Sequence, residues 1–461
     1  MIGGLYLYDL YVRDILKICS GKLLFGSENI KLGKFVADSR VVNKGDVYVG
    51  LMGEKVNGSD YYMDAIKNGA SVCILNKEVD VDGKATIIVV DDTLKCIQKL
   101  AKYKRSLMDI PVVAITGSVG KTSTKDMIAS VISTKYSVHK TSGNYNNHIG
   151  VPLTILSYTD QEVLVVEMGM NHLREIAKLT DIAKPTVAVI TNVGTAHIGN
   201  LGSRENILKA KLEILEAMSV DDVVINVDND MLSSVEKDLR EDYRVHTVSI
   251  DNDSDYKAIN IDDSVFDVKF DIDNISKNLH VNVGGRVFVY NALMAYAIGD
   301  ILHINDNDIK KGIKKFTLSS NRLEKKVSKS GITIIDDTYN ANFDSMKASL
   351  ELLGKVKKGR KIAILGDMLE LGRFSRKMHK DLGDIVFENK IDILITIGDY
   401  SQEIDKRVIE LGMSEDQVIH FSLENESYDY LRKLLNKKDV VLLKGSHGIH
   451  LFNIVNEIIG F

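Results

Sequence analysis

Short apolar runs alternate with amphipathic helical stretches along almost the whole chain, the pattern of layered α/β units. In the first hundred residues, runs at 47–51, 72–75 and 87–90 predict strands, and 61–68 and 93–107 predict helices. Asp109-Ile110-Pro111 then punctuates the chain ahead of a second series of runs at 112–115, 163–166, 186–191 and 223–226. Between 256 and 283 the period shortens to two, as in Val265-Phe266-Asp267-Val268-Lys269-Phe270-Asp271-Ile272. That alternation predicts antiparallel strands appended to a parallel sheet. Beyond Leu318-Ser319-Ser320-Asn321-Arg322, four further runs (333–336, 361–366, 393–398, 440–444) alternate with helices and predict a second doubly wound parallel sheet.

Three units follow from this pattern: a small α/β unit at 1–108, a central unit at 109–318 and a Rossmann-like unit at 319–461. A length of 461 residues accommodates them, at about 150 residues per domain. The composition, 44% hydrophobic and 27% charged, is that of a globular protein. A formal charge of −5 without a dense Lys/Arg run argues against nucleic acid as the partner. No stretch reaches the ~18 apolar residues of a membrane span. Residues 1–16 carry Asp9, Arg13 and Asp14 and lack a basic leader, so they do not read as a signal peptide. Cys19, Cys73 and Cys96 are scattered, without metal-ligand spacing, and are expected to be reduced, buried thiols of a cytoplasmic protein.

The most informative chemistry lies where the strand at 112–115 runs into Ile115-Thr116-Gly117-Ser118-Val119-Gly120-Lys121-Thr122-Ser123. Glycines let backbone amides approach polyphosphate oxygens, Lys121 supplies a cation, and the Thr122 hydroxyl can ligate Mg²⁺ at the helix start. The central unit is therefore expected to be a phosphate-loop ATPase-like parallel sheet. Its first glycine is Gly117 rather than residue 115, a shorter loop than the general pattern. Glu167 ends the next strand, where open α/β sheets bind ligands, and can complete a Mg²⁺ shell with Thr122. His197, in Thr191-Asn192-Val193-Gly194-Thr195-Ala196-His197, occupies the loop beyond a third strand, with a metal, phosphate or merely structural role open. The polar stretch Gly143 to Pro152, which contains Asn146 and Asn147, reads by itself as a surface loop. Lys211, in a helical stretch with Ile207, Ala210 and Ile214 as its apolar stripe, reads by itself as a surface group.

Together with Asn291-Ala292-Leu293, Asn321-Arg322-Leu323-Glu324, Asp336-Asp337-Thr338-Tyr339-Asn340-Ala341-Asn342, Gly366-Asp367-Met368-Leu369-Glu370-Leu371-Gly372 and Lys444-Gly445-Ser446, these segments span nearly the entire chain. The ordered set resembles the Mur ligases. The Asp-Asp-Thr-Tyr-Asn-Ala-Asn and Gly-Asp-Met-Leu-Glu-Leu-Gly segments resemble the branch that adds D-Ala-D-Ala to UDP-N-acetylmuramoyl-tripeptide.

The resemblance implies an ATP-dependent amide ligase acting through an acyl phosphate. Gly117, Ser118, Val119, Gly120, Lys121 and Thr122 would hold ATP. Thr122, Glu167, His197 and Lys211 would serve Mg²⁺, with Lys211 carbamylated. Asn291, Arg322, Asp337 and Asn340 would surround adenine and ribose. Ser39 and Arg40 would meet the uridine diphosphate, Asn146 and Asn147 would take part in substrate binding, and Lys444 and Ser446 would face the dipeptide. A monomer is expected. A sibling ligase adding one amino acid and a phosphate-loop regulator or kinase stand as alternatives. Val287, Phe343 and His447 replace the His, Pro and Arg common at those places in resembling enzymes.

Overall fold

Apolar residues of alternating parity decide the layering. In the strands Val112–Thr116, Val163–Glu167, Val187–Ile190 and Asp222–Asn226, one set (Val113, Ile115, Val165, Val189, Val224) packs on Met127, Ile128, Val289 and Leu293. The other set (Ala114, Leu164, Val166, Ile190, Ile225) packs on Val151, Ile155, Ile176 and Leu179. Successive side chains of a strand point to opposite faces, so a continuous apolar run buries both faces of the sheet under helices.

The computed structural model describes residues 8–81 and 83–461. Its three sheets have five, nine and six strands. The expectation for residues 1–16 falls partly on residues 1–7, outside the described residues. Among the described residues, no helix is long and apolar enough to cross a membrane.

In the nine-stranded sheet, Val112–Thr116 lies between Val163–Glu167 and Val187–Ile190, parallel to both. The chain leaves the central strand and returns on either side of it, which opens a crevice at the strands' C-terminal ends. Register aims the chemistry there: Ile115 pairs with Glu167 and Thr116 with Ile190. At the far edge, Tyr256–Asp263 runs parallel to Arg244–Ser249, and Val268–Ile272 and Ser276–Val281 then add antiparallel. Val265 to Asp267, expected in a strand, form the turn before it instead, and the Ser264 hydroxyl donates to the Asp267 carbonyl across that turn at 3.1 Å.

The four strands expected in the last third are parallel neighbours, in the order Thr333–Asp336, Val440–Lys444, Lys361–Gly366, Ile393–Ile397. Two short strands extend the sheet: Glu324–Val327 antiparallel at one edge and Val418–Phe421 parallel at the other. Both are only partly buried edge strands, which is why neither stands out as an apolar run. The first sheet carries Val47–Val49, Val72–Leu75 and Thr86–Val89 in parallel. The three cysteines are free thiols, as expected, but only Cys73 and Cys96 are buried; the half-buried Cys19 thiol donates to the Cys96 carbonyl at 3.5 Å, while Cys73 lies in another core.

Candidate active site

The helix Lys121–Ile132 starts on Gly120, whose φ of 84° is left-handed and suits glycine. Gly117 is needed for a different reason, since a methyl group there would strike the Thr191 hydroxyl. At the start of the helix the amides of Lys121, Thr122 and Ser123 have no carbonyl one turn back, which leaves three donors and the positive end of the helix dipole aimed at one point. The loop after the third strand braces the turn. Val119 donates its N–H to Asn192 Oδ1 (3.0 Å), the Thr191 hydroxyl donates to the Val119 carbonyl (2.7 Å), and Gly194 N–H donates to Ser118 Oγ (2.9 Å).

Ser118 to Ser123 line a cleft of about 400 Å³, together with Asn146, Asn147, Glu167, His197, Asn291, Arg322, Asp337, Asn340 and Lys444. Lys121 Nζ donates to the Gly117 carbonyl at 2.8 Å, and desolvation lowers its pKa against the pull of Glu167, with Arg322 adding to the lowering. Glu167 is 1% exposed. Its Oε1 accepts from Asn146 Nδ2 at 2.8 Å, while Oε2 is buried without a hydrogen bond. The nearest cation to that free oxygen is Lys125, also buried, with Nζ 3.8 Å away. Among the described residues no three His, Cys, Asp or Glu side chains form a ready-made metal cluster.

His197 has a left-handed backbone (φ 62°) and lies beside Glu370, with Nδ1 3.2 Å from Oε2. The contact is not a hydrogen bond, and Nδ1 is buried without one. Burial, then Lys121 and Lys211, push its pKa down to about 4, so the ring is neutral at pH 7 and its lone pair is available. Lys211 corrects the surface reading. It is 1% exposed and does not line the cleft. Its ammonium is disfavoured first by desolvation and then by Lys121, so its pKa lies well below the usual lysine value. The helix's own periodicity could not reveal this, because other elements cover the face that looked free.

The stretch from Gly143 ends earlier than expected. Asn147 Oδ1 accepts from Ile149 and Gly150 N–H, and a helix, Gly150–Leu156, begins at once with Pro152 inside its first turn. The segment before that helix is an exposed loop, as expected, and its Asn144, Asn146 and Asn147 line the cleft.

From the third sheet, Arg322 stacks its guanidinium 3.8 Å above the Tyr339 ring. Lys444 Nζ donates to Asp337 Oδ2 (2.6 Å) and to the Asn340 carbonyl (3.0 Å), a buried pair that fixes both neighbours. Asn291 Oδ1 accepts from the Thr124 hydroxyl at 3.0 Å, and its Nδ2 is buried without an acceptor. Ser446 faces a second, smaller cavity of about 340 Å³ with His447, and its hydroxyl accepts from Leu369 N–H. Ser39 and Arg40 lie elsewhere, in a turn of the first unit where Arg40 is exposed and paired with Asp38 at 2.7 Å.

The substituted positions have local explanations. Val287 lines the cleft without a polar group. Phe343 opens the helix Phe343–Gly354 where Pro would preset φ, and the Asn342–Ser345 capping box holds the helix start instead. His447 stacks on Phe452 with ring centres 5.7 Å apart. Sequence reasoning passed over Asn192, Lys125 and Asp344. Only Lys125 left a local signal, one helical turn beyond Lys121.

A phosphate loop at a topological switch point, with a second nucleotide-fold sheet closing the cleft from the far side, defines an ATP-dependent ligase of α/β type. Three family descriptions match the chain: Mur ligase family, catalytic domain (35–105), Mur ligase middle domain (115–299), and Mur ligase, glutamate ligase domain (321–447). The chain belongs to the Mur ligase family. It is 34% identical to a UDP-N-acetylmuramoyl-tripeptide--D-alanyl-D-alanine ligase of Bacillus subtilis, covering 97% of this chain and 98% of the relative. The crystal structure of MurF from Acinetobacter baumannii superposes with a TM-score of 0.88 at 26% identity, over 98% of this chain and 99% of that one. MurF ligase from Thermotoga maritima in complex with ADP gives 0.78 at 28% identity, over 92% and 97%.

Proposed function

We propose that this chain is the ligase that joins D-Ala-D-Ala to the terminal carboxylate of UDP-N-acetylmuramoyl-tripeptide at the expense of ATP. One observation carries the reading: the phosphate loop, a strand-end carboxylate with a free buried oxygen and the nucleotide-side residues of a second sheet converge on one cleft, in a chain that matches such a ligase of B. subtilis end to end.

The tripeptide carboxylate attacks the γ-phosphorus and the bond to ADP breaks, leaving an acyl phosphate. The amine of D-Ala-D-Ala then attacks the acyl carbon, phosphate departs and the amine loses a proton. In this reading Gly117 to Thr122 cradle the phosphates, and Lys121 offsets charge that develops on them. Asn291 Nδ2, a buried donor lacking an acceptor, together with Arg322, Asp337 and Asn340, orients the nucleoside. Ser39 and Arg40 take the uridine diphosphate, Asn146 and Asn147 shape the junction between the substrates, and Lys444 and Ser446 border the dipeptide. Closure of the third unit keeps water from the acyl phosphate.

The donor set fits Mg²⁺. Glu167 Oε2 and His197 Nδ1 are buried and make no hydrogen bond, Thr122 stands at the helix start, and a hard cation of this kind needs few protein oxygens beside the phosphates. When bound, Mg²⁺ supplies neutralisation of phosphoryl charge. Lys211 in its neutral form is the species that adds to CO₂, releasing a proton and gaining anionic oxygens. Its burial beside Lys121 favours that exchange of charge. We place the unit boundaries at 1–108, 109–318 and 319–461, and infer a cytoplasmic monomer.

The test is incubation with ATP, Mg²⁺ and UDP-linked muramoyl tripeptides, with D-Ala-D-Ala or single amino acids, and product identification by mass. Amide formation with a single amino acid but not with the dipeptide would overturn the assignment.

A further inference from the structure

Thr191 to His197 touch two units at once. On one side they brace the phosphate loop through Asn192, Gly194 and Thr191. On the other, Asp344, in the first turn of the helix Phe343–Gly354, reaches across from the third sheet's unit. Its Oδ2 accepts from the Thr195 backbone N–H at 2.7 Å and from the Thr195 hydroxyl at 2.8 Å. Gly194 is the point where the two sides meet, since a methyl group there would run into the Asp344 carboxylate and crowd the Ser118 side chain. His197 with Glu370 and Lys355 with Asp263 also cross this interface without touching the phosphate loop, and the Ser319 hydroxyl donates to Asp126 Oδ2 at 2.7 Å further along the helix that the loop opens.

We propose that Asp344 is a positioning residue that couples docking of the third unit to the order of the phosphate loop. A carboxylate oxygen taking two hydrogen bonds from one residue holds it more firmly than a neutral acceptor does. Thr195 so held fixes Gly194, Gly194 fixes Ser118, and Asn192 on the same segment fixes Val119. Docking therefore organises the amides that grip phosphate, and by linkage phosphate strengthens docking. The coupling rests on the nucleotide-binding part of the proposed function. It is distinct from that function, because it assigns the third unit a role in phosphate affinity through a residue that does not line the candidate cleft.

The test uses the full-length protein with ADP and a non-hydrolysable ATP analogue, with affinities measured by calorimetry. Asp344→Ala should weaken nucleotide binding about tenfold, the scale of losing hydrogen bonds to a charged acceptor. Asp344→Asn keeps a neutral oxygen acceptor and should recover only part of it. Thr195→Val, which retains the shape and the backbone N–H, should weaken binding in the same direction by less. In an Asn192→Ala background the links from Asn192 to Val119 are already cut, so Asp344→Ala should cost less than it does in the wild type. Wild-type affinity in the Asp344→Ala protein, or full additivity with Asn192→Ala, would overturn the coupling while leaving the ligase reading intact. A wild-type protein that binds neither nucleotide would overturn that reading and the coupling with it.

Discussion

Lys211→Met separates a functional lysine from a structural one. Methionine is likewise unbranched and only one atom shorter, but carries neither charge nor a nitrogen able to form a carbamate. In the structure Lys211 is 1% exposed, and the charged side chain acting on it is Lys121, a like charge. Removing a buried amine that has no opposite charge beside it relieves a desolvation cost of about 1–3 kcal/mol. For a unit the size of the central one, each ~1 kcal/mol raises the melting temperature by about 2–4 °C.

The pH dependence has a definite sign. A lysine whose folded pKa is depressed contributes stability that is present above its unfolded pKa and lost as pH falls through the folded value. The nucleotide-free wild type, stripped of CO₂, should therefore gain stability as pH rises toward about 10.4, and the Met variant should lose that slope. Turnover should behave oppositely to stability, falling on the order of 10²-fold or more with the loss of a preorganised charge. The assay pairs thermal melts across pH with ligase turnover in CO₂-free buffer, with and without added bicarbonate. Bicarbonate should restore the wild type and leave Lys211→Met unchanged, and acetate or formate should partly rescue Lys211→Ala. A Met variant with near wild-type turnover, or a wild type indifferent to bicarbonate, would refute the reasoning.

Lys121→Ala removes the cation of the phosphate loop and should lower turnover by about 10³-fold with a normal melt; a mild loss in kcat would take the loop out of the chemistry. Release of ADP should require both the tripeptide and D-Ala-D-Ala, because the closed cleft shields the acyl phosphate; rapid hydrolysis of ATP alone, read by a coupled ADP assay, would favour a regulator. Away from the site, burial raises the Asp405 pKa to about 7 although the Thr396 hydroxyl donates to it. A raised carboxyl pKa gives stability that is present below about 3.9 and lost as pH rises through about 7. Asp405→Asn, which carries no charge to desolvate, should therefore stabilise the protein at pH 8 by a few kcal/mol and flatten that slope in denaturant titrations; an unchanged slope would show that Asp405 is not its source.

The elements legible in the chain are those whose cause is local. The strand Val112–Thr116, the glycine turn and the helix after it are neighbours in sequence, so apolar run, turn chemistry and helix start announce one another. The same holds for Thr333–Asp336, Lys361–Gly366 and Val440–Lys444, whose burial on both faces makes each a continuous apolar run. Edge strands such as Glu324–Val327 bury too little to show a pattern. The candidate site was legible as residue types at strand ends, and family resemblance supplied roles that periodicity could not, most clearly for Lys211.

What the sequence by itself determined is thus the order of layers and the presence of a phosphate loop, because propensity and alternation act over a few residues. Only the tertiary structure decided which groups share an environment. Thr124 meets Asn291 across 167 positions, Lys444 meets Asp337 across 107 and Thr195 meets Asp344 across 149. Burial is also a property of the assembled units: the Lys211 ammonium is disfavoured and His197 is a neutral imidazole because other elements exclude water and bring Lys121 near. Desolvation and like-charge proximity depend on distance in space, and no local pattern encodes that distance.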